Sequence, residues 1–224
     1  MSIRTRSPSV LSLLFVLVLG LASSLADAGE DEVATGLLAI QHAWDKANYE
    51  SRDAAAKQTA LKSLSEQVEV FVHDHPGRAE PLVWQGIVLS SYAGAKGGLG
   101  ALSLAKKSRD SLLAAVKLDG DVLHGSAYTS LGALYYKVPG FPIGFGDHDK
   151  ARDYLRKALA LNPDGIDPNY FYGELLFEDG NYTQSMVYLQ KALAAPARSD
   201  RPVADAGRRS EVDALITRVR AKLS

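Results

Sequence analysis

Three positions recur in this chain at one fixed interval. Ala151, Leu155 and Ala158 are followed by Ser185, Leu189 and Ala192, and 185−151, 189−155 and 192−158 all equal 34. Steps of four and then three residues keep each trio on one face of a helix. An echo of this length marks a helix–turn–helix unit that cannot bury its apolar face alone and must stack on neighbours. The expected fold class is therefore all-α: an α-solenoid of antiparallel helix pairs with a C-terminal capping helix.

The first residues stand apart from that pattern. Arg4 and Arg6 precede an apolar run from Val10 to Leu25, interrupted by Ser12, Gly20, Ser23 and Ser24. Ala26-Asp27-Ala28 then gives the small-x-small pattern that signal peptidase reads. The run is short for a membrane span, which needs about 20 apolar residues. A signal peptide over 1–28, cut after Ala28, is expected; the alternative is an uncleaved anchor. Cleavage predicts a periplasmic or secreted protein with no membrane span after processing. The chain has no Cys, which excludes a disulfide framework, thiolate chemistry and an N-terminal lipid anchor on cysteine. With 25 basic against 26 acidic residues there is no electrostatic case for nucleic acid.

Beyond the leader, helical periodicity dominates. Residues 29–78 are expected to form an N-terminal helical hairpin. Its first helix carries Val33, Leu37, Ile40 and Trp44, and its second Leu61, Leu64, Val68, Phe71 and Val72, before His75-Pro76-Gly77 breaks it. Repeats are expected over 79–197. A helix with Leu82, Trp84, Ile87, Val88 and Tyr92 leads through a Gly94–Gly100 turn into Leu102–Leu118. The next unit pairs Tyr128, Leu131, Gly132 and Tyr135 with Ala151, Leu155 and Ala158. The last pairs Tyr172, Gly173 and Leu176 with Ser185, Leu189 and Ala192. Gly132 facing Ala151, and Gly173 facing Ser185, let antiparallel helices approach closely. Asp167-Pro168 reads as a capped helix start. Residues 198–224 form an Arg-rich segment and a final helix, with Val212, Leu215, Ile216, Val219 and Leu223 on one stripe and charges opposite, as an end cap requires.

This arrangement of small and large residues closely resembles the tetratricopeptide repeat (TPR) family, mostly over Asp119–Ala197. Leu112 and Ala115 place Leu102–Leu118 as a weaker third copy. The resemblance implies a TPR-like right-handed α-solenoid whose opening helices line a concave binding face. It places Thr129, Ala133, Tyr136 and Lys137, then Tyr170, Glu174, Phe177 and Glu178 on that face. Family members that clamp a C-terminal carboxylate use Lys, Arg and Asn there; Thr129 and Ala133 argue against such a clamp. Tyr and Phe suit an apolar or extended peptide.

Two stretches depart from the plain repeat. From Gly173 to Ser185 is 12 residues, but from Gly132 to Ala151 is 19, so the middle unit carries 19−12 = 7 extra. They lie in a Pro/Gly-rich loop over Val138–Gly146 that presents Phe141, Ile143 and Phe145. Either these fold back as a lid on the repeat core, or they wall a pocket or touch a partner. The Gly94–Gly100 turn lies at an equivalent place in the preceding hairpin, and the two insertions would share one rim. Residues 197–209 hold four Arg and two Asp. Either they form a salt-bridged capping segment, or Arg198 and Arg201 present forks to an anionic ligand or acidic surface.

The search for chemistry is short. His73-Asp74-His75 reads as a solvated helix end, and Asp147-His148-Asp149 as helix caps. There is no Gly-x-Ser-x-Gly elbow and no His-Glu-x-x-His. A non-enzyme with no cofactor and no metal is expected. The leading reading is a cell-envelope scaffold that binds a protein or peptide partner through its concave face. The second is a component that binds a small apolar or anionic ligand. The Pro139–Lys150 stretch before Ala151 resembles a segment of the T component of TRAP-type solute-uptake systems. That resemblance implies a ligand-handling accessory role in the periplasm. The missing lipid-anchor Cys departs from many members of that family.

Overall fold

The computed structural model describes residues 32–224; the expected leader 1–28 and its cut after Ala28 lie outside them. The chain divides after Leu38. Residues 32–38 are helical, and the unit Ala39–Ser224 holds everything that follows.

Helix follows helix through this unit. Residues 39–49 (α1) lead to α2 (Ala54–Asp74), α3 (Ala79–Lys96), α4 (Gly98–Leu118), α5 (Val122–Lys137), α6 (His148–Leu161), α7 (Ile166–Glu178), α8 (Tyr182–Ala194) and α9 (Pro202–Leu223). Among the described residues no strand forms; Gly140 and Gly146 make one isolated bridge across the base of a loop. No described helix is long and apolar enough to cross a membrane.

The pairs α3–α4, α5–α6 and α7–α8 pack as hairpins, while α3 touches α5 and α5 touches α7. The opening helices therefore form one layer and the closing helices the other, which is the all-α, TPR-like solenoid expected from the sequence. Leu112, Leu131, Leu155 and Leu175 are fully buried in the main core. Val212, Leu215, Ile216 and Val219 of α9 close the end of the solenoid on Ile166, Tyr170 and Leu189.

One local arrangement repeats in all three hairpins. A glycine of the opening helix lies against a leucine of the closing helix. A Cβ added at Gly86 would stand 2.4 Å from Leu112, at Gly132 2.4 Å from Leu155, and at Gly173 3.0 Å from Leu189. Four residues before the leucine, Ser108 Oγ donates to the Gly86 carbonyl at 2.6 Å, and Ser185 Oγ donates to the Gly173 carbonyl at 2.7 Å. Ala151 holds that place in the middle hairpin. The third copy is thus as complete as the other two. Its Gly86 and Ser108 were hidden in the sequence because 108−86 = 22 separates them, against 19 and 12 in the others.

One boundary here differs from the sequence reading, and one helix start is irregular. The glycine-rich stretch 94–100 is no long turn: α3 runs to Lys96, α4 starts at Gly98, and Gly97 alone joins them at φ +60°. The extra residues lengthen both helices instead. In α5, Leu123, His124 and Gly125 adopt left-handed dihedrals, so regular helix resumes at Ser126. Left-handed backbone is uncommon at non-glycine residues such as Leu123 and His124; across the turn the Gly125 amide donates to the Asp121 carbonyl at 3.3 Å.

The glycine contacts generate a graded prediction. Replacing Gly by Ala in a helix gains about 1 kcal/mol of propensity, while overpacking a tight core costs about 1–3 kcal/mol. Gly132→Ala, with its leucine at 2.4 Å, should destabilise the protein in urea unfolding. Gly173→Ala, at 3.0 Å, should lie near neutrality. The reverse order would show that the helix spacing is set elsewhere.

Candidate partner-binding groove

The inner layer turns one face to a groove of about 970 Å³. Trp44 and Tyr49 on α1, Trp84 and Ile87 on α3, Thr129 and Ala133 on α5, and Tyr170 and Phe171 on α7 all line it. A further wall is made by the segment leading into α9 and the first turns of α9 itself, with Arg198, Arg201 and Arg208.

The two insertions meet at one edge, as their equivalent positions imply. Gly94 and Gly98 line the groove beside Pro139 and Ile143, and a Cβ at Gly144 would reach Leu102 at 3.4 Å. The loop splits its three apolar side chains. Phe145 folds back, edge-on to Tyr135 at 5.4 Å and under the Arg109 guanidinium at 4.5 Å. Ile143 lines the groove and Phe141 projects outward, 93% exposed. The peptide before Pro142 is cis. The loop is thus lid, wall and exposed tip in three successive side chains.

Charge is concentrated where α9 begins, and every arginine there is engaged. Arg201 forks onto Asp45, with Nε donating to Oδ2 at 3.2 Å and a second, shorter bond from Nη2 to Oδ1. The two residues are 156 positions apart, and Asp45 is almost wholly buried. The same guanidinium lies over Trp84 at 4.9 Å and Trp44 at 5.8 Å. Arg208 donates to Asp167 at 2.7 Å and lies over Tyr170 and Phe171. Arg198 joins Asp167 at 2.8 Å and Asp205 at 2.6 Å. Lys137 reaches Glu174 at 2.7 Å, and Tyr136 Oη donates to the same carboxylate at 2.5 Å.

These contacts shift proton affinities. Burial disfavours the Asp167 carboxylate, but the guanidinium charges of Arg208, Arg198 and Arg201 outweigh it and hold its carboxyl below the usual range. Burial pushes the Tyr49 hydroxyl up to about 12. Burial, and then the Glu174 carboxylate, raises Tyr136 well above its ordinary value.

Of the residues singled out from the sequence, Ile143, Tyr170, Arg198 and Arg201 line the groove. Tyr136 and Glu174 pair with each other beside it. Phe177 packs on Tyr182 and under Arg218, toward α9 rather than the groove. Asp167 is no cap: α7 starts at Ile166 after Gly165, and the Asp167 carboxylate is turned to arginines instead. Asp147 does cap α6, accepting from the amides of Asp149 and Lys150. Arg198 and Arg201 present no open forks, since carboxylates already fill them. Trp44, Trp84, Phe171 and Arg208 were missed as groove residues, and Asp45 as the partner behind Arg201, because each reads as part of an apolar stripe or a charged face. Among the described residues no cluster of His, Asp and Glu is arranged to hold a metal.

Stacked helix hairpins around a concave groove define a helical-repeat protein. Residues 143–209 match the tetratricopeptide repeat family model, a region that runs from within the loop through α6, the last hairpin and the start of α9. Such repeats build helical scaffolds for protein interaction and are typically non-catalytic. No curated protein matches the chain.

The Asp167 cluster predicts a pH signature. A carboxyl held low in the folded state stabilises fully above its unfolded value of about 3.9, and that stability is lost as pH falls through the lower folded value. Asp167→Asn should therefore cost about 1–2 kcal/mol at neutral pH, discounted for the partial exposure of the pair. The gap from wild type in urea midpoint should close as pH drops below about 4. A gap that persists unchanged in acid would show that the loss is packing rather than charge.

Proposed function

We propose that this chain is a non-enzymatic TPR scaffold of the cell envelope that holds a protein or peptide partner in its concave groove. The observation that carries this reading is the convergence of α1, α3, α5 and α7 on one groove of about 970 Å³, floored by aromatic rings. Envelope placement rests on the leader read from the sequence. The groove's charge balance narrows the partner's chemistry. Lys137, Arg198, Arg201 and Arg208 are each held by a carboxylate of this chain. An acidic occupant would have to strip one of those pairs, leaving a partly buried carboxylate uncompensated. An uncharged, extended segment meets the apolar surface of Ile87, Leu102, Ala133, Val138 and Ile143 without that cost.

A second reading is a ligand-binding accessory role of the TRAP T-component kind. It is favoured by the groove's volume, which falls within the ~300–1,000 Å³ of small-molecule sites. For this ligand too, the paired cations favour an uncharged, apolar molecule over an anionic one.

The test is to fill the groove. Ala133→Trp should reduce capture of a partner from envelope extract at least tenfold while helix content is kept. Phe141→Ser, at the exposed loop tip, should leave capture intact. Loss with Phe141→Ser and retention with Ala133→Trp would move the contact from groove to loop. Native mass spectrometry of the same proteins separates the second reading: a bound small mass present in wild type and absent from Ala133→Trp supports a ligand site.

A further inference from the structure

We propose that the segment joining α8 to α9, residues 195–201, is a gate over the groove, latched to α1 by Arg201 and opened by local release while the repeats stay folded. This rests on the groove being the binding site.

The walls of the groove are held in two different ways. Helices α3, α5 and α7 are fixed by buried apolar side chains such as Val83, Leu131 and Leu175. The segment 195–201 has no such anchor beyond Ala195: every residue from Pro196 to Arg201 is exposed or only partly buried. Polar contacts hold it. Arg201 forks onto Asp45, His42 Nε2 meets the Asp200 carbonyl at 2.7 Å, and Arg198 grips Asp205 and Asp167. When the segment lifts away, both members of each pair are rehydrated together and neither is left buried alone, whereas the apolar side chains that fix α3, α5 and α7 have no such compensation. The wall held by ion pairs, hydrogen bonds and the stacking of Arg201 on Trp84 and Trp44, with no buried apolar side chain of its own beyond Ala195, is therefore the wall that opens first.

The latch also has a defined position. Asp45 and Arg201 join the first helix of the solenoid to its last, so the concave face is closed into a ring at this point. Just beyond it the Tyr49 ring lies so close to α9 that a Cβ at Gly207 would stand 2.3 Å away. Gly207 permits this second closing contact, and a side chain there would wedge the seam apart. Release of Arg201 uncovers Trp44 and Trp84 together. These are the chain's two tryptophans, so gate opening has its own optical signal.

The experiment uses the whole chain, which has no cysteine of its own. Asp45→Cys/Arg201→Cys is prepared open and, separately, bridged by a short bis-maleimide. Uptake of the neutral dye Nile red is followed by stopped flow, and acrylamide quenching reads tryptophan exposure. The open pair and Arg201→Gln should take up dye faster than wild type and show several-fold stronger quenching. The bridged protein should take up dye at least tenfold more slowly than the same protein unbridged. Equal uptake and equal quenching in bridged and unbridged protein would overturn the gate, because the groove would then be reached by another route. If no form takes up dye, the groove reading fails for small apolar molecules, and equal quenching across the four proteins would overturn the gate as well. Hydrogen exchange guards against general unfolding: amides of α5 and α7 should stay protected in Arg201→Gln. Their loss alongside residues 198–205 would make Arg201 a structural support and not a latch.

Discussion

In each hairpin a leucine of the outer helix sits where an inner-helix glycine has no side chain, and the rest of the fold depends on that contact. Gly86 with Leu112, Gly132 with Leu155 and Gly173 with Leu189 fix how closely the two layers approach. Close approach brings backbone carbonyls within reach of a hydroxyl, and Ser108 and Ser185 use it. With the interlayer distance set, Tyr135, Tyr172 and their neighbours fill the remaining grooves between hairpins.

The groove itself is built on a different principle. Its floor is aromatic, but two of its aromatic pairs are covered by guanidinium groups, Arg201 just before α9 and Arg208 within it, and each is neutralised by an acid from another helix. Burying such charges singly would be prohibitive; buried in pairs they are tolerated and fix geometry. Arg201 meeting Asp45 brings the two ends of the solenoid together. Arg198 and Arg208 sharing Asp167 anchor the start of α9 on α7. The capping helix therefore does two things: its apolar stripe seals the core, and its charged start completes the wall of the concave face.

Much of this was legible from residues alone, for identifiable reasons. The 34-residue echo survives because Leu155 and Leu189, with the small residues beside them, do the same mechanical work in consecutive units. The third copy was weak only because α3 and α4 are longer and shift its spacing, not its contacts. The loop after α5 was visible as seven extra residues, and its aromatic content marked it as more than a linker. What each side chain does there was not visible: Phe145 turns inward onto Tyr135, Ile143 faces the groove and Phe141 faces outward. Phe177 was assigned to the concave face by its place on α7, but α9 packs on that side and takes it.

The sequence by itself determined the helices, their pairing and the repeat, because these depend on local periodicity and on small residues at fixed offsets. It also marked the Arg-rich segment as a place of paired charge. Only the tertiary structure decided which acids those arginines meet. Asp45 lies 156 residues from Arg201, and Asp167 31 residues from Arg198, so no local pattern links them. Long-range ion pairs carry no periodicity, since any acid on a facing helix satisfies the chemistry. Geometry alone selects the partner, and that selection closes the groove.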